Sequence, residues 1–234
     1  MTQKLTYLFF ILLFAGSTIF GQTAGISFML GSPQGEFREN VDRLGYGIQA
    51  QGTLWAPNKV LPFTVGLNAS YMIYGEESDS RPLSNTIPDV WVDVDRTNNI
   101  ANFHLLFQVS PFWGDVRPYM EGLVGGSYLF TKTSVSSEYD NDEYDPVFES
   151  TNFDDWAWSY GFGGGLMILL ARELDGDVGS LFLDLKARYL FGTEAQYLRE
   201  GDVEINPHSG TATYYYSESE TDLLSFHLGV VLTF

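Results

Sequence analysis

The chain of 234 residues contains no cysteine. Disulfide frameworks and thiolate metal sites are therefore excluded, as is anchoring through a lipid-modified cysteine. Basic residues are scarce, 12 Lys and Arg against 30 Asp and Glu, which gives a formal net charge of −18. Such a surface repels phosphate backbones and argues against nucleic acid as a partner. Beyond residue 22 no apolar run approaches the roughly 20 residues that a membrane-crossing helix requires. No phosphate loop and no metal-spaced His/Cys set is present, and no cofactor is expected. What is abundant is apolar and aromatic: 44 % hydrophobic residues, 16 % aromatics and 24 Gly. That content is too high for a disordered chain, and the length suits one β-domain.

The N-terminus has the layout of an export signal. Lys4 supplies a positive start, Leu5 to Ala15 is apolar apart from Thr6, and Gly16, Ser17 and Thr18 break the run. A small residue, Gly21, precedes Gln22. The apolar stretch is short for a membrane span, so residues 1–21 are expected to be a cleaved secretory signal and 22–234 a single barrel domain.

After residue 22 the chain alternates apolar and polar residues with period two, in segments bounded by Gly, Pro, Asn or Asp. The last segment is the clearest: Phe226, Leu228, Val230, Leu232 and Phe234 share one face. Leu181, Leu183, Leu185, Ala187, Tyr189 and Phe191 repeat the pattern, with Asp184, Lys186 and Arg188 on the opposite face. Six further segments follow it: Ala24–Leu30, Leu44–Leu54, Phe63–Ile73, Phe103–Val109, Met120–Phe130 and Trp156–Leu170. Eight antiparallel strands result, an even number that brings both termini to one rim. The expected fold class is all-β, an eight-stranded antiparallel up-and-down transmembrane β-barrel.

The connections support it. Ala56–Pro62, Phe112–Pro118 and Arg172–Gly179 are short. They alternate with long acidic segments, Ser32–Asp42, Glu76–Asn98, Lys132–Asp155 and Gly192–Asp222, which together hold 24 of the 30 carboxylates. Short turns at one rim and long loops at the other are the pattern of outer-membrane barrels. Aromatics band by depth: Tyr71, Tyr74, Trp156, Trp158, Tyr189 and Phe191 toward the long-loop rim, and Trp55, Phe63, Phe112, Trp113 and Phe234 toward the other.

These features resemble the eight-stranded outer-membrane β-barrel family, the small barrels similar to the OmpA membrane domain and OmpX. The Gln-start mature chain is similar to exported proteins of Bacteroidetes-type bacteria. The resemblance spans Gln22–Phe234. It implies outer-membrane lipid and lipopolysaccharide as surroundings. It also implies that the last strand, with Val230, Leu232 and Phe234, is the assembly signal read by the barrel-assembly machinery. A monomer is expected, and wall anchoring is not implied.

Alternation directs Arg43, His104, Glu121, Asp184, Lys186, Arg188 and His227 into the lumen. An eight-stranded barrel is filled by its own side chains. Lys186 and Arg188 would repel unless paired, so Glu121 and Asp184 are their expected partners. The inward positions of the sixth segment, Ala157, Ser159, Gly161, Gly163 and Gly165, leave room for them. One reading of this set is a structural plug, the other a gated path for ions. In the loops, Asp140, Asp142, Glu143 and Asp145 are hard-oxygen ligands of the kind Ca²⁺ takes. Their spacing departs from an EF-hand, and no metal is assigned.

Enzymatic activity is not expected. His208 and Ser209 are adjacent and diverge on an extended chain, and Ser225, His227 and Asp222 are a conceivable triad. Three functional readings remain open. The first is an outer-membrane barrel with acidic extracellular loops and a structural or surface-interaction role, its loop partner unknown. The second is a small gated pore, and the third a soluble periplasmic lipocalin-like binder of an apolar ligand.

Overall fold

The computed structural model describes residues 22–84, 87–137, 148–172, 174, 179–205 and 212–234. Residues 1–21, Asp140, Asp142, Glu143, Asp145, His208 and Ser209 lie outside them. Eight strands close into one antiparallel barrel: β1 (Thr23–Pro33), β2 (Gly45–Thr53), β3 (Phe63–Ser84), β4 (Ile87–Val109), β5 (Val116–Ser137), β6 (Phe148–Arg172), β7 (Ser180–Gly192) and β12 (Leu223–Thr233). Each pairs with its neighbours along the chain, and β12 closes on β1. Four short strands, β8 (Glu194–Tyr197), β9 (Val203–Ile205), β10 (Ala212–Tyr214) and β11 (Ser217–Glu220), form two small antiparallel pairs between β7 and β12. The one helix among the described residues, α1 (Gly35–Asn40), follows β1. It is not long and apolar enough to cross a membrane.

Register fixes the barrel's geometry. A path across paired residues runs Thr23, Thr53, Gly66, Leu106, Leu123, Gly161, Leu190, Leu223 and returns to β1 at Pro33. The offset, from position 23 to 33, tilts the strands strongly against the barrel axis, as closure of eight strands around a filled interior requires. The termini meet at the short-turn end, where Phe234 N–H donates to the Gln22 carbonyl (2.9 Å).

The pleat sorts side chains as the alternation predicts. Apolar residues lie outside: Ile26, Leu67 and Phe162 are 58 %, 63 % and 61 % exposed, and Phe28, Ile48, Phe103, Leu105, Phe226 and Leu228 share that surface. Polar residues lie inside: Ser27, Gln49, Gln51, Asn68, Asn102, His104, Glu121, Asp184, Lys186 and Arg188 are all buried. A soluble carrier of an apolar ligand needs the reverse arrangement, so the lipocalin-like reading is overturned.

Two expectations about the long-loop end need correction. Glu76–Asn98 and Lys132–Asp155 are largely strand, because β3 continues to Ser84, β4 starts at Ile87, β5 continues to Ser137 and β6 starts at Phe148. Four strands therefore rise past the barrel as a wall. Val92 and Val94 are buried on one side of this wall, and cross-strand polar pairs tie it as well. Ser78 donates to Asp95 (2.6 Å), Ser80 to Asp93, and Arg96 to Glu77 (2.9 Å). The second correction is Tyr74, which faces into the barrel mouth and is 3 % exposed rather than part of the outer aromatic band. Tyr46, Tyr71 and Tyr189 do face outward there, donating to Glu76 (2.5 Å), Asn99 (2.5 Å) and Asp222 (3.0 Å). An aromatic ring in apolar surroundings with its hydroxyl held in a polar layer is the arrangement that suits a membrane interface.

Candidate functional site

The interior is the chemically distinctive part of the molecule. Lys186 and Arg188 sit two apart on β7, which is flanked by β6 and β12. They therefore point the same way. Each has its own carboxylate. Lys186 Nζ is 3.0 Å from Asp184 Oδ2. Arg188 meets Glu121 with two nitrogens, Nε to Oε1 at 2.5 Å and Nη2 to Oε2 at 3.1 Å. This two-pronged geometry is the strong form of the guanidinium–carboxylate pair. All four side chains are 2 % exposed or less. Two positive and two negative charges thus cancel inside the barrel.

Neutral groups take up the remaining hydrogen-bonding capacity. Gln51 Oε1 accepts from Lys186 (2.7 Å) and from Arg188 Nη2 (3.3 Å), and Asn68 Oδ1 accepts from Arg188 Nη1 (2.8 Å). The Tyr119 hydroxyl donates to Asp184 (2.6 Å). The network draws on β2, β3, β5 and β7, and thus ties opposite walls together.

Glycine on β6 makes the space. A Cβ at Gly163 would stand 2.8 Å from Arg188 Cγ and 3.1 Å from Glu121 Oε1, and one at Gly165 would stand 2.7 Å from the Tyr119 ring. Any side chain at these positions would displace the ion pair or the ring below it.

The two histidines are separate from this network's ion pairs. His227 Nε2 is 2.9 Å from Ser225 Oγ, and His104 Nε2 is 3.1 Å from Ser159 Oγ. Asp222 does not complete a triad: its two oxygens accept from the Tyr189 hydroxyl (3.0 Å) and the Gly192 N–H (3.1 Å). The Nδ1 atoms of both rings make no hydrogen bond among the described residues.

Arg43 is not in the lumen. β2 begins at Gly45, so the alternation that would turn Arg43 inward has not yet started. Its side chain is more than half exposed at the long-loop end, where it forms an ion pair with Glu200. Val230 and Leu232 lie on the outer face of β12, paired with Ile26 and Ala24 of β1, and Phe234 follows the strand's end.

Apolar side chains pack at both ends of the lumen. At the short-turn end Tyr119, Met167, Phe182 and Val231 form an apolar cluster, with the Arg117 guanidinium 4.5 Å above the Phe182 ring. At the long-loop end Phe37 of α1, fully buried, packs edge-on against Tyr74 (5.6 Å) and Tyr197 of β8 (5.0 Å). Beneath it lies an apolar layer that includes Met29, Met72, Ile100, Leu190 and Leu223. The Tyr74 hydroxyl donates to the Leu198 carbonyl (3.3 Å), and the Tyr197 hydroxyl shares a hydrogen bond with Ser219 (2.8 Å). Burial raises the Tyr197 hydroxyl above the ordinary phenol range. The turn after β8 is fixed by Arg199, whose backbone and side chain both donate to Asp202, and that hydrogen bond raises the guanidinium's already high pKa.

No protein-family model matches the chain, and no curated protein matches it. Among solved structures it is similar to Ail, the attachment invasion locus protein of Yersinia pestis, in complex with the heparin analogue sucrose octasulfate. Identity is 13 % and the TM-score 0.42, covering 92 % of this chain and 100 % of that one. It is also similar to Neisserial surface protein A (10 %, TM-score 0.34, 91 % and 94 % covered). A third is a major outer membrane protein from Thermus thermophilus (16 %, 0.36, 91 % and 99 %). At these identities and scores the likeness carries nothing about ligand, partner or role. The molecule's own geometry defines its class: an eight-stranded antiparallel up-and-down β-barrel of the membrane type, apolar outside and charged within.

Proposed function

We propose that the mature chain is an integral outer-membrane barrel with a closed lumen, acting at the cell surface in membrane integrity, display or adhesion. The observation that carries this reading is the inverted barrel sealed at both ends. A lipid-facing apolar surface surrounds neutralised buried charges, which lie between the Phe182 cluster and the Phe37 cap. An ion would have to break two buried ion pairs and pass two apolar seals, so the lumen serves as a structural plug. With no passage inside, function falls to the long-loop end, where the four-stranded wall and the cap face outward. On this reading residues 1–21 direct export and are removed. The final strand with Phe234 is read during assembly, lipopolysaccharide and lipid surround a monomeric barrel, and no catalysis takes place.

The test is conductance across a planar bilayer, using refolded protein that migrates faster unheated than boiled in detergent gels. A folded barrel that stays electrically silent supports the plug. Steady steps that change on Lys186→Met or Arg188→Met substitution would make the protein a small gated pore instead. Absence of any heat-dependent mobility shift would count against the membrane barrel itself.

A further inference from the structure

At the long-loop end a cleft of about 370 Å³ opens between four separate segments. Its walls include Asn40 and Arg43 ahead of β2, Gly75 of β3, Asn98 of β4, and Arg199 and Glu200 of the turn after β8. The volume lies within the range of small-ligand sites. We infer that this cleft is a binding site for a neutral saccharide, of up to disaccharide size.

Three features carry the inference. First, the charged walls are already neutralised by each other. Arg43 pairs with Glu200, and Arg199 binds Asp202 through Nε (3.0 Å) and Nη2 (3.3 Å). A charged or zwitterionic ligand would have to break one of these pairs, whereas a hydroxyl group can donate to a carboxylate's remaining lone pairs or accept a remaining guanidinium N–H. Secondly, Asn98 accepts from Thr131 through its Oδ1 (2.8 Å) and carries a second polar atom, the donor Nδ2. That nitrogen lies beside Gly75, where a Cβ would stand 2.9 Å from it, and both residues line the cleft. An amide donor on the wall of a cleft can donate to a ligand hydroxyl or ether oxygen. Thirdly, planar amides, guanidiniums and carboxylates line one small space together, so donors and acceptors lie side by side, as neighbouring ring hydroxyls need. The turn bearing Arg199, Glu200 and Asp202 is held in place on β3: Glu76 N–H donates to Glu200 (3.0 Å) and Gly201 N–H to Glu77 (3.4 Å). Gly201 has φ of 82°, which a side chain would strain, so glycine suits this position of the turn.

This inference rests on the proposed function only for the direction the cleft faces, outward from the cell. The experiment is titration of the refolded, heat-modifiable chain with lactose, maltose, alanine and glucuronate, read by calorimetry and by ligand-observed NMR. Binding of a neutral disaccharide is expected, weakened about tenfold by Asn98→Leu and by Asn40→Ala, with Asp79→Asn on the same wall unchanged. Asn40 lies outside the barrel wall, so its variant keeps the proposal testable if Asn98→Leu misfolds. The titration is repeated in vesicles with and without rough lipopolysaccharide. Competition identifies a lipid-linked saccharide as the occupant, and its absence a free one. No binding of any neutral sugar by a folded barrel overturns the inference while leaving the barrel reading intact. So does preference for alanine or glucuronate, or neutral-sugar binding that ignores both variants.

Discussion

Removing the carboxylate of Glu121 would leave Arg188 buried against only the neutral oxygens of Asn68 and Gln51. A buried charge without its partner is far costlier than the intact pair is favourable. Glu121→Ala is therefore expected to lower the unfolding free energy by about 3–5 kcal/mol, measured by urea titration of the folded and unfolded gel bands. Replacing both members, Glu121→Gln with Arg188→Met, is expected to cost less than Glu121→Ala alone. A cost equal to the sum of the two singles would place the residues outside one network. Gly163→Leu should also destabilise, by about 1–3 kcal/mol, because the new side chain must push Arg188 aside. At this scale the sequence was informative wherever a residue sits well inside a strand. Period-two alternation directs Glu121, Asp184, Lys186, Arg188, His104 and His227 inward, and all six are buried. Arg43 escapes the rule because alternation holds only while the pleat lasts, and β2 starts two residues later.

Among the elements, α1 is one that alternation conceals, as are the short strands β8 to β11. Its six residues lie in a segment that reads as a polar loop, and its single buried side chain, Phe37, gives no periodic signal. Only tertiary structure brings Tyr74 and Tyr197, far apart along the chain, onto the same ring. Phe37→Ala is expected to loosen the cap without opening the barrel. Amide hydrogen exchange in β8 and β11 should rise while β3–β6 within the barrel stay protected, and the heat-dependent gel shift should persist. Uniform loss of protection would show instead that the cap and barrel unfold together. The wall beyond the rim was illegible for a different reason. Ser78, Ser80, Asp93 and Asp95 make strands through hydroxyl–carboxylate pairs. Such residues look like loop in a one-dimensional reading.

For the whole molecule, an exterior of Ile, Leu, Phe and Trp with an interior of Gln, Asn and paired ions reverses the distribution of soluble domains. Extraction is expected to require detergent, and transfer to detergent-free buffer should precipitate the folded form. Loss of Phe234 is expected to reduce the amount assembled in the membrane, with the precursor accumulating or being degraded, as fractionation would read. Unchanged membrane levels would remove the last residue from any assembly role. The fold class and the strand count were legible because eight segments carry the same alternation and the turn lengths alternate with them. The packing at the two ends of the lumen was not, since it depends on which side chains meet across the barrel.

The seam between β1 and β12 sets an order in time. Thr23 pairs with Thr233, so the first strand's last open edge waits for the end of β12. Seven of the barrel's strand pairings join near neighbours along the chain and can form as hairpins or meanders, but the eighth joins the first strand to the last. Contacts so distant in sequence carry the largest loop-closure cost and form late. No closed barrel can exist before β12 is available to pair with β1. Until β12 arrives, the growing sheet presents two bare edges to any strand nearby. A truncated or stalled chain would therefore be hazardous as well as inactive, because its open sheet would pair with whatever it met.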